Sequence, residues 1–349
     1  MTTPYQQPDY LLTLGGLDIT PRVGSRLISL QLDESRGDEA DQLELCLDDA
    51  DGRLALPPLG GELQLQLGWR GEGLVDKGTF VVDEVEHLGA PDQIMLRARA
   101  AELRSSLRQR GQYSWDKSTV GQVVAEVAAR SGLRAKVHPQ LAAQALKHID
   151  QTNESDIHFL TRLARLHDAV CTVKKGTLVF MPINSAHSAS GQALDELTVT
   201  RAAGDQHRWH AADRTAYTGV KAQYYNYRDA RVNEVRTGDP RREKRLKDRY
   251  GSKPEAARAV QSEMQRIDRG KATLEITLAL GRPELMPQSP VTVRGFKPEI
   301  DGTDWRIVKV THSINDGTGF TTRLELEIAG QDVSVEGGDD TADQIKEWS

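Results

Sequence analysis

The sequence predicts an α+β protein that is mainly β, in which two similar antiparallel β units flank an inserted domain of helices and one hairpin. Three observations lead to this prediction. Residues 79–87 (TFVVDEVEH) return as residues 304–312 (DWRIVKVTH), and alternating apolar and polar runs lie before and after both copies. Between the copies, the apolar spacing changes from every second residue to that of a helix. The matched positions are Phe80 with Trp305, Val82 with Ile307, Val85 with Val310, and His87 with His312.

The first β unit is expected to span residues 1–110. Residues 48–53 (DDADGR) are expected to form a turn because Asp-Gly pairs favour one. Short connections and clear alternation favour antiparallel strands with one buried face. The expected strands are residues 27–32, 43–47, 63–67, 79–87 and 94–98.

The inserted domain is expected to span residues 111–192. A helix is expected to start near Val120, with Ser118 or Thr119 as its N-cap and Gly132 in the left-handed position after its end. Pro139 is expected to start a shorter helix that ends at Leu146.

A third helix is expected within residues 151–169 (QTNESDIHFLTRLARLHDA), where Asn153 or Ser155 can cap the N-terminus. Glu154 and Asp156 lie in the first turn, where the helix dipole favours anions. A hairpin follows, and then a small, polar linker. The hairpin strands are residues 170–173 and 178–181, and the linker is residues 185–192.

The second β unit is expected to span residues 193–331, with strands at residues 197–201, 216–227 and 271–280 and a helix at residues 254–269. Its tyrosines could stack on nucleic-acid bases, but cross-strand packing is the preferred interpretation. The basic residues 236–249 are expected to form a solvated loop. Residues 332–349 form an acidic tail that we expect to order only against a partner.

Composition favours an ordinary soluble protein without long-range attraction to nucleic acid or to an anionic membrane. The chain has 349 residues, 38% of them hydrophobic, and a net charge of -6. It shows no secretion signal and no run of 18 apolar residues, so we expect synthesis in the cytoplasm and no direct membrane insertion. Cys46 and Cys171 stand in unrelated contexts and are expected to be buried thiols without a disulfide.

The sequence predicts no catalytic residue, no metal ligand and no cofactor-binding residue. It contains no phosphate loop, dinucleotide glycine pattern, nucleophile elbow or zinc-protease motif. Residues 48–53 lack the glutamate of a calcium loop, whose twelfth position here is Leu59. His207 and His210 have no third ligand nearby. His87 and His312 could be a catalytic pair, but the same strand-end hydrogen bond in both units is the preferred interpretation.

Four segments resemble the phage late control gene D family, the baseplate hub proteins of contractile tails. The segment at residues 151–169 contains the helix core NESDIHFLTRLAR, and all four segments occur in the family's order. Together they cover the chain from about residue 10 to 330. The segments are residues 78–92, 151–169, 253–287 and 291–314.

The resemblance implies a non-enzymatic homotrimer in the virion tail baseplate, assembled in the host cytoplasm. Each subunit would contribute two β-barrel domains, so that six barrels would join a sixfold tail tube to a threefold central spike. The implied partners are other copies of the chain, the spike, and the tail tube or tube-initiator protein. Further implied partners are the tape measure and baseplate wedge proteins. No cofactor and no specific nucleic-acid binding are implied.

Several alternatives stay open at this point. The same hub fold occurs in type VI secretion spikes, R-type pyocins and related injection devices, and the sequence does not separate a phage tail from a phage-derived bacteriocin. Because the chain ends at Ser349, we expect the spike to be a separate protein. The function alternatives are a tail-associated peptidoglycan hydrolase and a DNA-binding late-gene regulator. The regulator is disfavoured because helix residues 120–130 carry one Arg and one Glu.

Overall fold

The computed structural model describes residues 6–37, 39–101, 105–174, 176–183, 185, 196–211, 217–226 and 230–330. Strands predominate in it. The strands of the first half are β1 (Pro8–Leu14), β2 (Leu17–Asp18), β3 (Leu27–Ser35), β4 (Gln42–Asp48), β5 (Glu62–Trp69), β6 (Gly73–Leu88), β7 (Gln93–Ala100), β8 (Arg110–Thr119), β9 (Arg134–Val137), β10 (Ala145–Ser155), β11 (Ala169–Lys174) and β12 (Thr177–Pro182).

The remaining elements complete the second half and the helices. The strands are β13 (Leu197–Thr200), β14 (Gly204–Ala211), β15 (Gly219–Asn226), β16 (Arg231–Gly238), β17 (Glu243–Tyr250), β18 (Ala272–Leu278), β19 (Pro290–Arg294), β20 (Trp305–Asn315) and β21 (Gly319–Ile328). The helices are α1 (Thr20–Val23), α2 (Ser105–Arg108), α3 (Val120–Arg130), α4 (Pro139–Ala142), α5 (Asp156–Leu166), α6 (Lys253–Arg269) and α7 (Pro298–Asp301).

One large sheet contains both copies of the repeat. Its strand order is β14-β18-β21-β20-β3-β4-β7-β6-β5-β1-β2, and β19 pairs with β20 and carries β13. The prediction of a mainly β protein with several antiparallel strands is confirmed. Among the described strands no sheet closes into a barrel, so the closed barrels implied by the resemblance are not confirmed.

The two copies of the repeat have the same strand order. The first is β1-β5-β6-β7-β4-β3 and the second is β13-β19-β20-β21-β18-β14. A bulge interrupts the pairing at the same place in both, between Val82 and Glu84 in β6 and between Ile307 and Lys309 in β20. One pairing differs, because β1 is antiparallel to β5 whereas β13 is parallel to β19.

Each copy packs around the apolar positions that the alternation predicted. In β3, and in β4 with the exception of Cys46, the buried side chains recur at every second position, which places them on one face of the sheet. Each fully buried leucine stabilises the fold by roughly 1.5–3 kcal/mol. The first core includes Leu30, Leu32, Leu43, Leu45, Phe80 and Val82, and the second includes Leu274, Ile276, Trp305, Ile307, Val310 and Leu326.

The inserted region confirms two of the three expected helices. Thr119 caps α3 with a complete capping box, and Ser155 caps α5. The expected helix from Pro139 to Leu146 is wrong beyond Ala142, because the chain turns there and enters β10. Buried Ile149 and Gln151 are two residues apart, as in a strand, and β10 pairs with β8, a strand that the sequence analysis missed. The predicted hairpin is β11 and β12.

The basic residues 236–249 are not a solvated loop, and this prediction is wrong. Most of them belong to β16 and β17, which flank β15 in a separate three-stranded sheet. The inner face of this sheet packs on α6, which spans Lys253–Arg269 as expected. Tyr224 packs in that core, in keeping with the preferred interpretation for the tyrosines.

Parts of some predictions lie outside the described residues. These parts include most of the linker at residues 185–192 and the acidic tail at residues 332–349. Within the described part of the chain, no helix combines the length and the apolar character needed to span a membrane.

Candidate functional site

The junction between the two copies is a backbone-paired joint. Strand β3 of the first copy pairs antiparallel with the second half of β20, from Lys309 opposite Ser35 to Asn315 opposite Ser29. His312 lies opposite Leu32, and both side chains are completely buried. This pairing satisfies the main-chain groups at the edge of each copy, so the two copies form one continuous sheet.

A buried ionic cluster lies at this joint. The Lys77 ammonium is 2.6 Å from the Glu34 Oε2, and the His312 Nε2 is 3.3 Å from the same oxygen. The other ring nitrogen of His312 is 2.9 Å from the Thr322 hydroxyl. The side chains of Lys77 and Glu34 are 4% and 9% exposed, so the pair is shielded from water.

The environment fixes the charge of each group. Burial raises the pKa of Glu34, but the contacts with His312 and Lys77 outweigh burial and lower that pKa to about 2. Burial lowers the pKa of His312 more than the adjacent carboxylate raises it. Glu34 is therefore held as a carboxylate between Lys77 and His312, and the lowered pKa of His312 favours its neutral imidazole.

A cleft of about 480 Å³ opens beside this cluster, where the first copy, the inserted hairpin and the second copy meet. Its walls are mostly apolar. Among its lining residues are Val75, Phe80, Val179, Met181, Met286 and Pro287. Four carboxylates also line it. Glu34 is paired with Lys77, Asp41 with Lys174 and Glu284 with Arg282, and Asp76 accepts a hydrogen bond from the Gly78 N–H. Each carboxylate of the cleft thus has a partner, whereas a hydrolase needs a free pair of acids.

A second buried network connects all three parts of the chain. The Arg269 guanidinium, 2% exposed, donates two hydrogen bonds of 2.6 Å to the carboxylate of Asp168 in the inserted region. Its Nε is 3.3 Å from the Glu327 Oε1 in β21, and Arg36 of the first copy binds the same oxygen. Bidentate arginine contacts are directional, so this network fixes how the inserted region sits on the paired copies.

An aromatic contact also joins the two copies. The Trp69 indole N–H donates a 2.8 Å hydrogen bond to the Gly281 carbonyl, and the rings of Trp69 and Phe320 are 5.2 Å apart. A β-carbon at Gly281 would lie 2.4 Å from the Phe320 ring, so only glycine fits there. This close approach fixes the relative position of the two copies.

The two repeat histidines occupy equivalent positions but have different partners. The His312 ring is completely buried between Glu34 and Thr322, whereas the His87 Nε2 is 3.6 Å from the Asp49 carboxylate and its side chain is half-exposed. The expectation of one shared hydrogen bond is therefore wrong.

The other candidate residues show no metal chemistry. Cys46 and Cys171 are buried and form no disulfide, as expected. His207 and His210 lie on the exposed strand β14, where His207 contacts the Phe296 ring edge-on. The described residues contain no group of three or more His, Cys, Asp or Glu side chains that could hold a metal ion.

Sequence reasoning missed Glu34, although a signal was present. Leu30, Leu32 and Glu34 share one face of β3, so an acid follows two buried leucines on the apolar side of the strand. A carboxylate at such a position needs a buried cation, and Lys77 supplies it.

Comparisons with known proteins agree with this architecture. Residues 43–318 match the family model described as phage tail baseplate hub (GPD). The chain is 40% identical to the probable baseplate hub protein of Escherichia phage P2, over 95% of this chain and 96% of the relative. It is 42% identical to the probable baseplate hub protein of Escherichia phage 186, over 93% and 94%. Both are named as hub proteins and not as enzymes.

Solved structures share the fold at low sequence identity. A tail protein from Neisseria meningitidis has a TM-score of 0.68 at 15% identity, covering 92% of this chain and 96% of that one. The 43 kDa tail protein of prophage MuSo2 from Shewanella oneidensis has a TM-score of 0.67 at 17% identity, covering 92% and 98%. A type VI secretion component from E. coli has a TM-score of 0.55 at 14% identity, covering 91% and 76%. The chain belongs to the phage tail baseplate hub family and is a structural protein of the virion tail.

Proposed function

We propose that three copies of this chain form a closed ring in the baseplate hub and adapt a sixfold tail tube to a threefold central spike. The observation that carries the proposal is the duplicated β unit, in which both copies have the same strand order and the same bulge. Two similar units per chain and three chains give six similar docking positions with true threefold symmetry. A ring of this kind can contact partners of either symmetry.

In this proposal each of the three parts of the chain has its own role in the ring. The units at residues 1–110 and 193–331 would form the ring, and the inserted region at residues 111–192 would project from it. The buried Arg269 network supports a rigid attachment of the inserted region. The acidic residues 332–349 would contact a partner protein.

The proposed partners are other copies of the chain, the spike and the tail tube or tube-initiator protein. A chain in the Francisella PdpA-VgrG complex shares the fold, with a TM-score of 0.53 at 8% identity, so this fold occurs in an assembly with another protein. The curated relatives come from phages, which favours a phage tail over a phage-derived bacteriocin as the particle.

Light scattering tests the proposed trimer. The mass of the purified chain would be measured alone and with the spike protein of the same particle. We expect three copies of the chain per complex when the spike is present. A complex with one, two or six copies would overturn the trimeric ring.

A further inference from the structure

The β3–β20 joint links strands of the two copies within one chain. Each of these strands has a counterpart in the other copy, and the two counterparts are not paired with each other within the chain. The corresponding strands of the two copies can be found by following directly opposite residues from strand to strand, starting from the matched pair Val82 and Ile307. In the first copy the row of partners is Val82, Ala98, Leu43 and Leu32. In the second copy it is Ile307, Leu326, Leu274 and Trp209. Strand β14 is thus the counterpart of β3, and Trp209 is the counterpart of Leu32.

The two strands that correspond to β20 and β3 have open edges. Residues 84–88 of β6 pair with β7 on one side and with no described strand on the other. Strand β14 pairs with β18 on one side and likewise has no described strand on the other. In the joint inside the chain, the corresponding edges are paired with each other.

We propose that β14 of one copy pairs antiparallel with residues 84–88 of β6 in the next copy, and that this pairing repeats the β3–β20 joint between subunits. The proposal rests on the trimeric ring of the proposed function and identifies the surface that closes it. Transferring the register of the internal joint places His87 opposite Trp209, Glu86 opposite His210, and Leu88 opposite Arg208.

Exposed apolar side chains support this assignment. Trp209 is 42% exposed, whereas its counterpart Leu32, on the strand that pairs with β20, is 0% exposed in the first core. Leu88, at the end of the open edge, is 43% exposed. A large aromatic on a free edge strand is typical of a surface that another chain covers.

The charges of the two edges are complementary. Glu84 and Glu86 share the single guanidinium of Arg97 with Glu44, so the β6 edge carries excess negative charge. The β14 edge carries His207, Arg208 and His210, and Arg208 has no ion pair among the described residues. In the transferred register Arg208 lies diagonally across from Glu86, within reach of a cross-strand ion pair.

The pairing is head-to-tail and can close into a ring. Each chain offers one β14 edge and one β6 edge, so each subunit binds one neighbour on either side. Three internal joints and three intersubunit joints would then alternate around the ring. Because both use the same strand pairing, all six units would be connected in the same way. Closure also covers these two edges, which would otherwise be sites of unspecific strand pairing.

Cysteine cross-linking in assembled tails tests the register. His87→Cys and Trp209→Cys would be combined in the full chain, with the buried Cys46 and Cys171 retained, and purified tails would be oxidised mildly. We expect disulfide-linked dimers and trimers on a non-reducing gel, because directly opposite β-carbons lie within disulfide reach. The single variants and the mismatched pair His87→Cys with Arg208→Cys are the controls, and we expect monomers from them.

The outcomes separate this inference from the proposed function. If the tail contains three copies by mass but only the mismatched pair cross-links, or neither pair does, the joint is wrong while the trimer stands. If the hub is not trimeric, the proposed function fails and the joint fails with it.

Charge reversal gives an independent readout. We expect Glu86→Lys to lower the fraction of chain assembled with the spike by about tenfold, since like charges across an interface are costly. Adding Arg208→Glu should restore assembly. Glu299→Lys, which changes an exposed acid on α7, is the matched control. Circular dichroism melting of the unassembled chain would check that each variant folds. Failure of the double variant to recover, with folding intact, would overturn the pairing.

Discussion

At the scale of single residues, the buried Lys77–Glu34 pair shows how one ion pair can fix the relation between two similar sheets. Removing two charges from water is costly, and the close contact and the neighbouring His312 offset that cost. Loss of one partner would leave the other charge buried and unpaired. The pair is therefore more sensitive to substitution than any exposed ion pair of the chain.

Lys77→Met tests this sensitivity. We expect a loss of about 3–5 kcal/mol in the free energy of unfolding, because Glu34 would keep a buried charge without a cation. Urea denaturation followed by circular dichroism measures the loss. Lys271→Met removes an exposed partner of Asp268 and should change stability by less than about 1 kcal/mol. Equal effects of the two substitutions would show that burial of the first pair does not matter.

His167 makes stability depend on pH. Burial lowers the pKa of His167 to about 4, and the charge of Arg258 adds to the effect. Because an unfolded histidine titrates near pH 6.5, the unfolded chain binds a proton between these values that the folded chain does not. Stability is therefore complete above about pH 6.5 and falls as pH decreases toward 4, by up to about 1.4 kcal/mol per pH unit.

Urea denaturation at pH 7 and pH 5 measures this dependence. We expect the wild-type chain to lose stability between the two values and His167→Gln to lose on the order of 1–2 kcal/mol less, since glutamine does not titrate. The same loss in both proteins would assign the pH dependence to other groups.

At the scale of elements, the long and periodic segments could be predicted from the sequence, and the short or polar ones could not. The α3 and α6 helices carry both an apolar face and end signals, and the structure confirms both. The helix predicted from Pro139 extends to Leu146, although β10 begins at Ala145, because a single apolar residue fits either period. Strand β14 has no alternation to detect, since its inner positions include His207 and Trp209.

The capping box of α3 gives a test at this scale. The Thr119 hydroxyl accepts a hydrogen bond from the Gln122 N–H, and the Gln122 side chain accepts one from the Thr119 N–H. We expect Thr119→Ala to lower the free energy of unfolding by about 1 kcal/mol. Thr119→Ser keeps the hydroxyl and should retain most of the stability, so a loss as large as that of alanine would contradict the capping role. Thermal denaturation provides the comparison.

At the scale of the whole molecule, the repeat could be predicted but the way its copies join could not. The matched residues from Phe80 to His87 and from Trp305 to His312 have local periodicity that reveals two similar strands. The β3–β20 pairing connects residues far apart in the chain and has no local sequence signal. The buried clusters around Glu34 and Arg269 follow from that long-range pairing, so they also could not be assigned in advance.

Arg269→Gln tests whether the buried network holds the inserted region in place. The substitution removes both hydrogen bonds to Asp168 and the contact with Glu327, so we expect amide hydrogens in α5 and β11 to exchange at least tenfold faster. Hydrogen-exchange mass spectrometry measures this rate. Arg266→Gln, which loses only an exposed contact with Glu263, should leave the exchange unchanged. Unchanged exchange in both variants would mean that other contacts hold the inserted region.

β1 is antiparallel to β5, whereas β13 is parallel to β19, and this difference would matter in the proposed ring of six units. Around its rim, β1 and β13 would alternate, and their main chains would run in opposite directions. A protein that binds the main chain of β1 or of β13 at this rim would find three equivalent sites. A protein that contacts only the strands shared by both copies would find six equivalent sites. In the proposed ring, this one difference between the copies would therefore distinguish a threefold partner from a sixfold partner.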